Sequence, residues 1–256
     1  MISFQIQSIF LDRLVSVDIY QSQVGAKGSS YDLLLFNDGQ DLCNMNFSDI
    51  LQQFGDLTQH LICVGIHAGH DRRQEYGVSD RPDFLNRGSK AKAYSTFILQ
   101  ELMPALLKYL GLSEFRNKYV AGFSLGGLMA FDITIEHPSE FQKCGVFSGS
   151  FWWRSKAVGD GYSDEVDRIM HAKVRTKAYS ARQQFFFQVG GLDEKADRNN
   201  NGIIDAIDDT LDLISELEHI GYNRDRDIVY LEIDDGTHDI GTWGRTMPTF
   251  ISWVLS

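Results

Sequence analysis

The feature that most constrains the fold is a five-residue turn near the middle of the chain, which runs from Gly122 to Gly126 and reads GFSLG. The apolar run KYVA precedes it and GLMAFDITI follows it, so a buried strand is predicted to end where a helix begins. The flanking glycines permit strained backbone angles at Ser124, whose hydroxyl such a turn lifts to the carboxyl edge of a sheet. That position, at the positive end of a helix, suits a nucleophile. The alternative is a glycine-rich turn with an idle serine.

Short and long apolar segments alternate on both sides of this turn, which indicates a mostly parallel sheet covered by helices. Strands are predicted at residues 4–10, 14–20, 32–36, 61–66, 118–121, 144–147, 185–189 and 228–233. Helices are predicted at residues 93–110, 125–136, 207–220 and 243–255, with Pro104 bending the first. The first two strands are expected to form an antiparallel hairpin, and the whole pattern predicts the α/β-hydrolase fold. One domain is predicted over residues 1–256, with an aperiodic loop at 69–89 overhanging the site.

The chain is acidic, with a formal net charge of −11 over 256 residues. This charge argues against nucleic acid or an anionic membrane surface as a partner. The sequence has no basic, apolar leader and no run of about 18 apolar residues, so a cytoplasmic protein without a membrane span is expected. None of the three cysteines forms a CxxC pair, and Cys63 and Cys144 lie in apolar runs, so these two are expected to be buried thiols.

A serine nucleophile needs a base and an orienting acid, which in this fold follow the serine in the order acid, then histidine. Of the seven histidines, only His238 lies beyond the last predicted strand, so it is the predicted base. The acid is expected directly after the strand at 185–189, where the sequence reads GGLDE. Asp193 is the first choice, and Glu194 and Asp197 remain alternatives.

Two backbone N–H groups are expected to hold the negatively charged oxygen that forms during acyl transfer. One is predicted at Leu125, directly after the nucleophile. The other is predicted at Gln40, in the loop NDGQD, where Gly39 lets the backbone approach closely. A plain turn is the alternative for this loop.

At these residues the chain resembles the esterase D-like "putative esterase" family of α/β-hydrolases, which includes enterochelin (siderophore) esterases and several carbohydrate esterases. The resemblance covers nearly the whole chain and rests on the segments LLLFNDGQDL, RQEYG, LQELMPAL, AGFSLGGLMAFDITIEHPSEFQKCGVFSGSFWW and GTHDIGTW. It implies hydrolysis of a small-molecule ester through an acyl-enzyme, with no cofactor required for catalysis, and leaves the ester itself open. An acyltransferase on the same fold and a catalytically silent binding protein are the alternatives.

The segment SGSFWW resembles the part of siderophore esterases in which aromatic residues line the substrate side. The candidate substrate contacts are therefore Phe151, Trp152, Trp153 and Trp243. The alternative is that these rings cover the core or, for Trp243, anchor the last helix. An anionic siderophore would also need arginines, which the sequence offers at Arg72, Arg73 and Arg154.

A second pattern, DRNNNGIIDAID at residues 197–208, matches the spacing of a twelve-residue calcium loop. The predicted ligands are Asp197, Asn199, Asn201, Ile203, Asp205 and Asp208. The loop resembles those of dockerins and EF-hands, but it ends in aspartate rather than glutamate and has no helix before it. A structural calcium ion bracing Asp193 is predicted. The alternative is an Asn/Gly-rich turn before a helix whose first turn is rich in aspartate.

Overall fold

The computed structural model describes residues 1–20, 30–159 and 161–256. The strands in this part of the chain are β1 (Ile2–Ser8), β2 (Arg13–Tyr20), β3 (Asp32–Asn37), β4 (Leu61–Ile66), β5 (Lys118–Phe123), β6 (Lys143–Phe147), β7 (Gln184–Leu192) and β8 (Ile228–Thr237). They form one 8-stranded sheet in the order β1-β2-β4-β3-β5-β6-β7-β8. β2 runs antiparallel to β1 and β4, and the remaining neighbours are parallel. The predicted hairpin and mostly parallel sheet are therefore confirmed.

The helices of the described residues lie between these strands along the chain, except for the last helix, which follows β8. They are α1 (Phe47–Gln53), α2 (Arg72–Glu75), α3 (Ala91–Phe97), α4 (Met103–Leu110), α5 (Leu125–Glu136), α6 (Asp164–Asp167), α7 (Ile169–Val174), α8 (Asp205–His219), α9 (Arg224–Asp227) and α10 (Ile240–Leu255). Short 3₁₀ turns occupy Gly39–Asp41, Cys43–Met45 and Gly55–Thr58. One π-helical turn, Ile98–Leu102, joins α3 to α4. This turn lies just before Pro104, which has no N–H to donate to the preceding turn. The bend predicted at Pro104 is therefore a local widening of a continuous helix.

Both faces of the sheet are buried, and β7 shows how one strand serves two cores. Phe185 and Phe187 pack in a core on one face, under helices that include α3, α4, α5 and α8. Phe186 points to the opposite face and packs in a second core under α1 and α10. Alternation of side chains along a strand produces this arrangement. Cys63 and Cys144 are buried in the two cores as predicted.

The last two strands extend beyond the apolar runs that predict them. β7 and β8 stay paired as far as Leu192 and Thr237, with a shift of register between Gly190 and Leu192. Glycine makes this close pairing possible, because a Cβ on Gly190 would lie 2.5 Å from the carbonyl oxygen of Gly236. The two strands therefore deliver the residues that follow them, Asp193 and His238, from one hydrogen-bonded ladder.

The segment 69–89, which the sequence predicts to be an aperiodic loop, contains the four-residue helix α2. Glu75 in α2 accepts two hydrogen bonds of 2.7 Å from the guanidinium of Arg13 in β2. The N–H of Ser79 donates to the buried carboxylate of Asp132 in α5, at 3.0 Å. Tyr76 and Val78 also pack in the first core. The segment is therefore held by ionic, polar and apolar contacts that follow no regular spacing along the chain.

Candidate active site

Ser124 occupies the turn between β5 and α5 in a strained conformation, with φ 55° and ψ −119°. A side-chain-bearing residue pays on the order of 1–3 kcal/mol for such angles. The flanking glycines make the turn possible, because a Cβ on Gly122 would lie 2.3 Å from the carbonyl oxygen of Gly126. The Ser124 N–H donates to the carbonyl of Phe147 at 2.8 Å, which fixes the turn against β6. The arrangement of strand, turn and helix predicted around Ser124 is present.

Ser150, in the loop after β6, lies beside Ser124. The two Oγ atoms are 3.4 Å apart, and the Ser150 N–H donates to the carbonyl of Ser124 at 3.2 Å. Among the described residues, Ser150 is the one side-chain hydrogen-bond partner of the Ser124 hydroxyl. The sequence pattern did not single out Ser150, although its position three residues after the end of β6, in the loop SGS, is a signal that points to it.

His238 and Asp193 meet at the ends of β8 and β7. His238 Nδ1 lies 3.9 Å from Asp193 Oδ2, which is within ion-pair distance but too long for a hydrogen bond. The Asp193 side chain is 1% exposed, whereas that of His238 is 40% exposed and so faces solvent. The structure therefore brings together the base and the first-choice acid that the sequence predicts.

The two alternative acids face elsewhere. The Glu194 carboxylate accepts the backbone N–H of Ala206 in α8, and burial raises the pKa of Glu194. The Asp197 carboxylate accepts backbone N–H groups from Asn201 and Gly202 within its own loop. The Asp193 carboxylate instead folds back onto the end of β7, because the Gly190 N–H donates to Asp193 Oδ2 at 3.1 Å.

The surroundings of His238 keep its imidazole neutral. Burial lowers the pKa of His238 below the usual 6.5, and the nearby guanidinium of Arg72 lowers it further. The carboxylates of Asp193 and Asp239 act in the opposite direction. A neutral imidazole is the form that accepts a proton, so this environment favours a general base.

Trp243 links His238 to the nucleophile turn. The His238 ring meets the Trp243 ring at a centroid distance of 5.4 Å and an interplanar angle of 77°. Trp243 also stacks on Phe123, the residue before Ser124, at 5.1 Å, and its Nε1–H donates to Ser148 Oγ at 2.9 Å. Trp243 is 7% exposed. It therefore packs between the base and the turn, as a helix anchor does, and presents little surface to a ligand.

The two predicted oxyanion donors follow neighbouring strands. Leu125 is the first residue of α5, where backbone N–H groups have no partner within the helix. Gln40 lies in the 3₁₀ turn directly after β3, and its side-chain Oε1 accepts the N–H of Ala68 at 3.0 Å. Gly39 is indispensable there, because a Cβ would lie 2.3 Å from the carbonyl carbon of Gly65 in β4.

An ion pair that the sequence analysis did not identify joins this loop to the nucleophile turn. The Arg72 guanidinium makes two hydrogen bonds to the Asp38 carboxylate, at 2.6 and 2.7 Å, and a longer one of 3.4 Å to the carbonyl of Phe123. Of the three arginines considered for an anionic substrate, Arg72 thus contacts the turn. Arg154 lies over the ring of Phe84 at 5.5 Å.

The aromatic residues after Ser150 differ in burial, and two of them correct the prediction. Phe151 and Trp153 are 0% exposed and pack in the core, so neither offers surface to a substrate in this conformation. Trp153 also donates its Nε1–H to the carbonyl of Arg81 at 3.3 Å. Trp152 is half-buried, and the guanidinium of Arg87 lies 4.9 Å from its ring centroid. Phe151 and Trp153 therefore belong to the hydrophobic core, which was the alternative to a substrate-binding role. Trp152 remains a candidate substrate contact.

Hydrogen bonds within the segment 197–208 satisfy several of its predicted calcium ligands. Asn199 and Asn201 each donate a side-chain N–H to Asp208 Oδ2 at 2.9 Å. Asp205 accepts the backbone N–H of Arg198 at 2.8 Å and pairs with its guanidinium. In the described part of the chain, no three His, Cys, Asp or Glu side chains are grouped as metal ligands. Calcium binding here stays a prediction.

Comparison with known proteins gives one family and several structures of similar fold. The family model "Esterase", described as "Putative esterase", matches residues 9–253. The uncharacterized protein YbbA of Bacillus subtilis (strain 168) is 30% identical over 104 residues, which is 38% of this chain and 40% of YbbA. Within the described residues, every helix is too short or too polar to span a bilayer.

Two solved structures illustrate the similarity of fold. The enterochelin esterase of Shigella flexneri has a TM-score of 0.70 at 17% identity, and the match covers 98% of this chain and 58% of that one. The siderophore hydrolase EstB of Aspergillus nidulans has a TM-score of 0.66 at 19% identity, over 97% of this chain and 93% of that one. The chain therefore spans less than two thirds of both YbbA and the Shigella enzyme.

Proposed function

The chain belongs to the "Putative esterase" family, whose model matches it from residue 9 to residue 253, and on this premise we propose that it hydrolyses carboxylic esters through Ser124. Membership confirms the resemblance drawn from the sequence. The observation that carries the proposal is the strained Ser124 turn at the start of α5, at the sheet edge where His238 and Asp193 lie 3.9 Å apart.

In the first half of the proposed reaction, His238 Nε2 accepts the proton of Ser124 Oγ while Oγ bonds to the ester carbonyl carbon. The carbonyl oxygen becomes negatively charged, and the N–H groups of Leu125 and Gln40 stabilise it. Asp193 orients the imidazole and stabilises its positive charge. The carbon–oxygen bond then breaks, the alcohol leaves with the proton from His238, and an acyl group remains on Ser124.

In the second half, water replaces the alcohol. His238 accepts a proton from the water as its oxygen bonds to the acyl carbon, and the same two N–H groups hold the charge that forms. The bond to Ser124 Oγ breaks, His238 returns the proton to Oγ, and the carboxylic acid leaves. No step requires a cofactor. The chain is proposed to act as one domain over residues 1–256, with the segment 69–89 beside the site.

The proposed substrates are small-molecule esters, and siderophore and carbohydrate esters are the classes to test first. Two solved structures of similar fold are named as an enterochelin esterase and a siderophore hydrolase. Arg72 contacts the nucleophile turn with 32% of its side chain exposed, and the Asp38 carboxylate balances its charge. Turnover of acetyl, feruloyl, siderophore-lactone and S-formylglutathione esters would separate these classes.

The test of the proposal compares two neighbouring serines. Wild-type protein should hydrolyse p-nitrophenyl acetate and react with a fluorophosphonate probe, and Ser124→Ala should lose both activities while keeping its melting temperature. Ser150→Ala is the matched control, because its Oγ lies 3.4 Å from Ser124 Oγ, and it should still react with the probe. Full activity in Ser124→Ala would overturn the proposal.

The same assay separates the two rival functions. An acyltransferase would pass the acyl group to an added alcohol in preference to water, which product analysis with a competing alcohol would detect. A silent binding protein would not react with the probe at all.

A further inference from the structure

The Asp38–Arg72 ion pair lies between the predicted oxyanion loop and the nucleophile turn. Asp38 is the first residue after β3 and has the left-handed angles φ 59° and ψ 40°. Its side chain is 2% exposed and accepts the two Arg72 hydrogen bonds side by side. A bidentate pair fixes direction as well as distance, so Asp38 and the loop that follows it cannot rotate independently of Arg72.

Asp38 and Arg72 contact the two residues on either side of Ser124 and Leu125, namely Gly126 and Phe123. Asp38 Oδ2 lies only 2.5 Å from the position of a Cβ on Gly126, so the carboxylate occupies the space beside that glycine. Arg72 Nη2 donates to the carbonyl of Phe123. The pair therefore touches the backbone on both sides of the nucleophile.

Neutral hydrogen bonds strengthen the same connection. Asn37 Nδ2 donates to the carbonyl of Gly126 at 2.8 Å, and Tyr94 Oη holds Asn37 by donating to its Oδ1 at 2.8 Å. The N–H of Asp38 donates to Tyr76 Oη at 3.2 Å. Two consecutive residues of the oxyanion loop are thus tied to the turn that carries Leu125.

The guanidinium of Arg72 also lowers the pKa of His238. The charged groups that face His238 are Asp193 after β7, Asp239 before α10 and Arg72 in α2, and Trp243 covers it with an uncharged ring. Arg72 is the cation of this set. Removing it would leave His238 facing carboxylates alone, which favour the protonated imidazole.

Resting on the proposed function, we propose that Asp38 and Arg72 are positioning residues that set the geometry between the Gln40 and Leu125 N–H groups. The oxyanion requires both donors at hydrogen-bond distance from one oxygen. A displacement of about 1 Å at either donor is enough to slow such a reaction by roughly 100-fold. Arg72 therefore contributes to the rate without itself exchanging a proton with the substrate.

The test removes the pair as a unit. Arg72→Gln alone would leave a buried carboxylate unpaired and threaten the fold, so the informative variant is Asp38→Asn/Arg72→Gln, which removes both charges and leaves an uncharged amide at each position. With p-nitrophenyl acetate, kcat should fall roughly 10- to 100-fold and KM should change little. The acid limb of the pH profile should move to higher pH. In Arg72→Lys, kcat should fall while the acid limb stays, because the charge remains but the bidentate contact is lost.

A second bidentate pair provides the matched control. Arg116 donates to Asp32 at 2.9 and 2.6 Å, at the opposite ends of β3 and β5. Asp32→Asn/Arg116→Gln should leave kcat and the pH profile unchanged. Wild-type kcat in the Asp38/Arg72 double variant, or a raised KM with unchanged kcat, would each overturn the inference. Failure of the probe to label Ser124 in wild-type protein would instead overturn the proposed function.

Discussion

The carboxylate of Asp193 approaches His238 without hydrogen-bonding to it. Oδ2 lies 3.9 Å from His238 Nδ1 and accepts the N–H of Gly190, while Oδ1 is buried with no hydrogen-bond partner among the described residues. A buried polar atom left without a partner costs about 1–3 kcal/mol. Catalytic hydrogen bonds are often long in unliganded proteins and tighten when substrate binds. The unsatisfied oxygen favours closure of this contact.

The first prediction assigns the acid. Asp193→Asn should lower kcat roughly 10³- to 10⁴-fold, because an amide cannot stabilise the imidazolium that forms in each half of the reaction. Glu194→Gln is the matched control and should keep most of the activity, since Glu194 faces the start of α8. Steady-state kinetics on p-nitrophenyl acetate would measure both. A larger loss in Glu194→Gln than in Asp193→Asn would assign the acid to Glu194.

The second prediction concerns the pH dependence of activity. The pKa of His238 lies below 6.5, chiefly because of burial, so the imidazole stays neutral as the pH falls through 6.5. Activity should therefore be constant around neutral pH and decline only at a pH below 6.5. The measurement is kcat/KM against pH in wild-type protein. An acid limb centred above pH 6.5 would contradict the environment described for His238.

The third prediction concerns stability in acid and rests on His171 in α7. Burial lowers the pKa of His171 to about 3, Nε2 contacts the carbonyl of Asp209 at 2.8 Å, and Nδ1 has no hydrogen-bond partner within the described residues. The unfolded chain binds a proton near the usual pKa of 6.5 whereas the folded chain does not, so the free energy of unfolding falls as the pH drops from 6.5 toward 3. The titration of His171 alone should lower the free energy of unfolding by about 2 kcal/mol between pH 7 and pH 5.

Urea unfolding at the two pH values would measure this effect. His171→Gln retains a hydrogen-bond donor and removes the titration, so its loss of stability between pH 7 and pH 5 should be smaller by that amount. An identical loss in the variant and the wild type would show that His171 does not titrate on unfolding.

The fourth prediction tests the calcium loop. If residues 197–208 bind calcium, the melting temperature should rise in calcium and fall again with a chelator, with a stabilisation of about 2.7 kcal/mol at a hundredfold excess over Kd. The Asn199 and Asn201 amides would then have to turn away from Asp208. Asp208→Ala should abolish the response, and Asp56→Ala, which removes an exposed carboxylate elsewhere, should retain it. A calcium-independent melting temperature in the wild type would refute calcium binding by the loop.

The sequence predicts those parts of the site that depend on local order along the chain. Ser124 follows from its pentapeptide and flanking runs, and His238 from its place after the last strand. Asp193 follows from the order serine, acid, histidine along the chain, but this order does not decide between Asp193 and its neighbours Glu194 and Asp197. Local sequence restricts these positions because a strand end and the turn after it are only a few residues long.

The parts that the sequence does not predict depend on contacts between distant segments. Asp38 and Arg72 are 34 positions apart, and Arg72 lies on a four-residue helix without an apolar period. Phe151 and Trp153 are aromatic residues after a strand end, where the sequence gives no period to show which side faces the core. Pairing partners and the direction of a loop side chain are settled by packing.

The predicted base follows an edge strand of the sheet. β8 is an edge strand, with a partner on one side only, whereas β5, which leads to Ser124, lies between β3 and β6. Edge strands open by local fluctuation at a lower free energy than central strands, so amide exchange should rise along Ile228–Thr237 before it rises along β5 as the protein is warmed. Opening of this strand would carry His238 away from an intact nucleophile turn. Heat inactivation would then begin as a reversible loss of the base, at temperatures where most of the molecule is still folded.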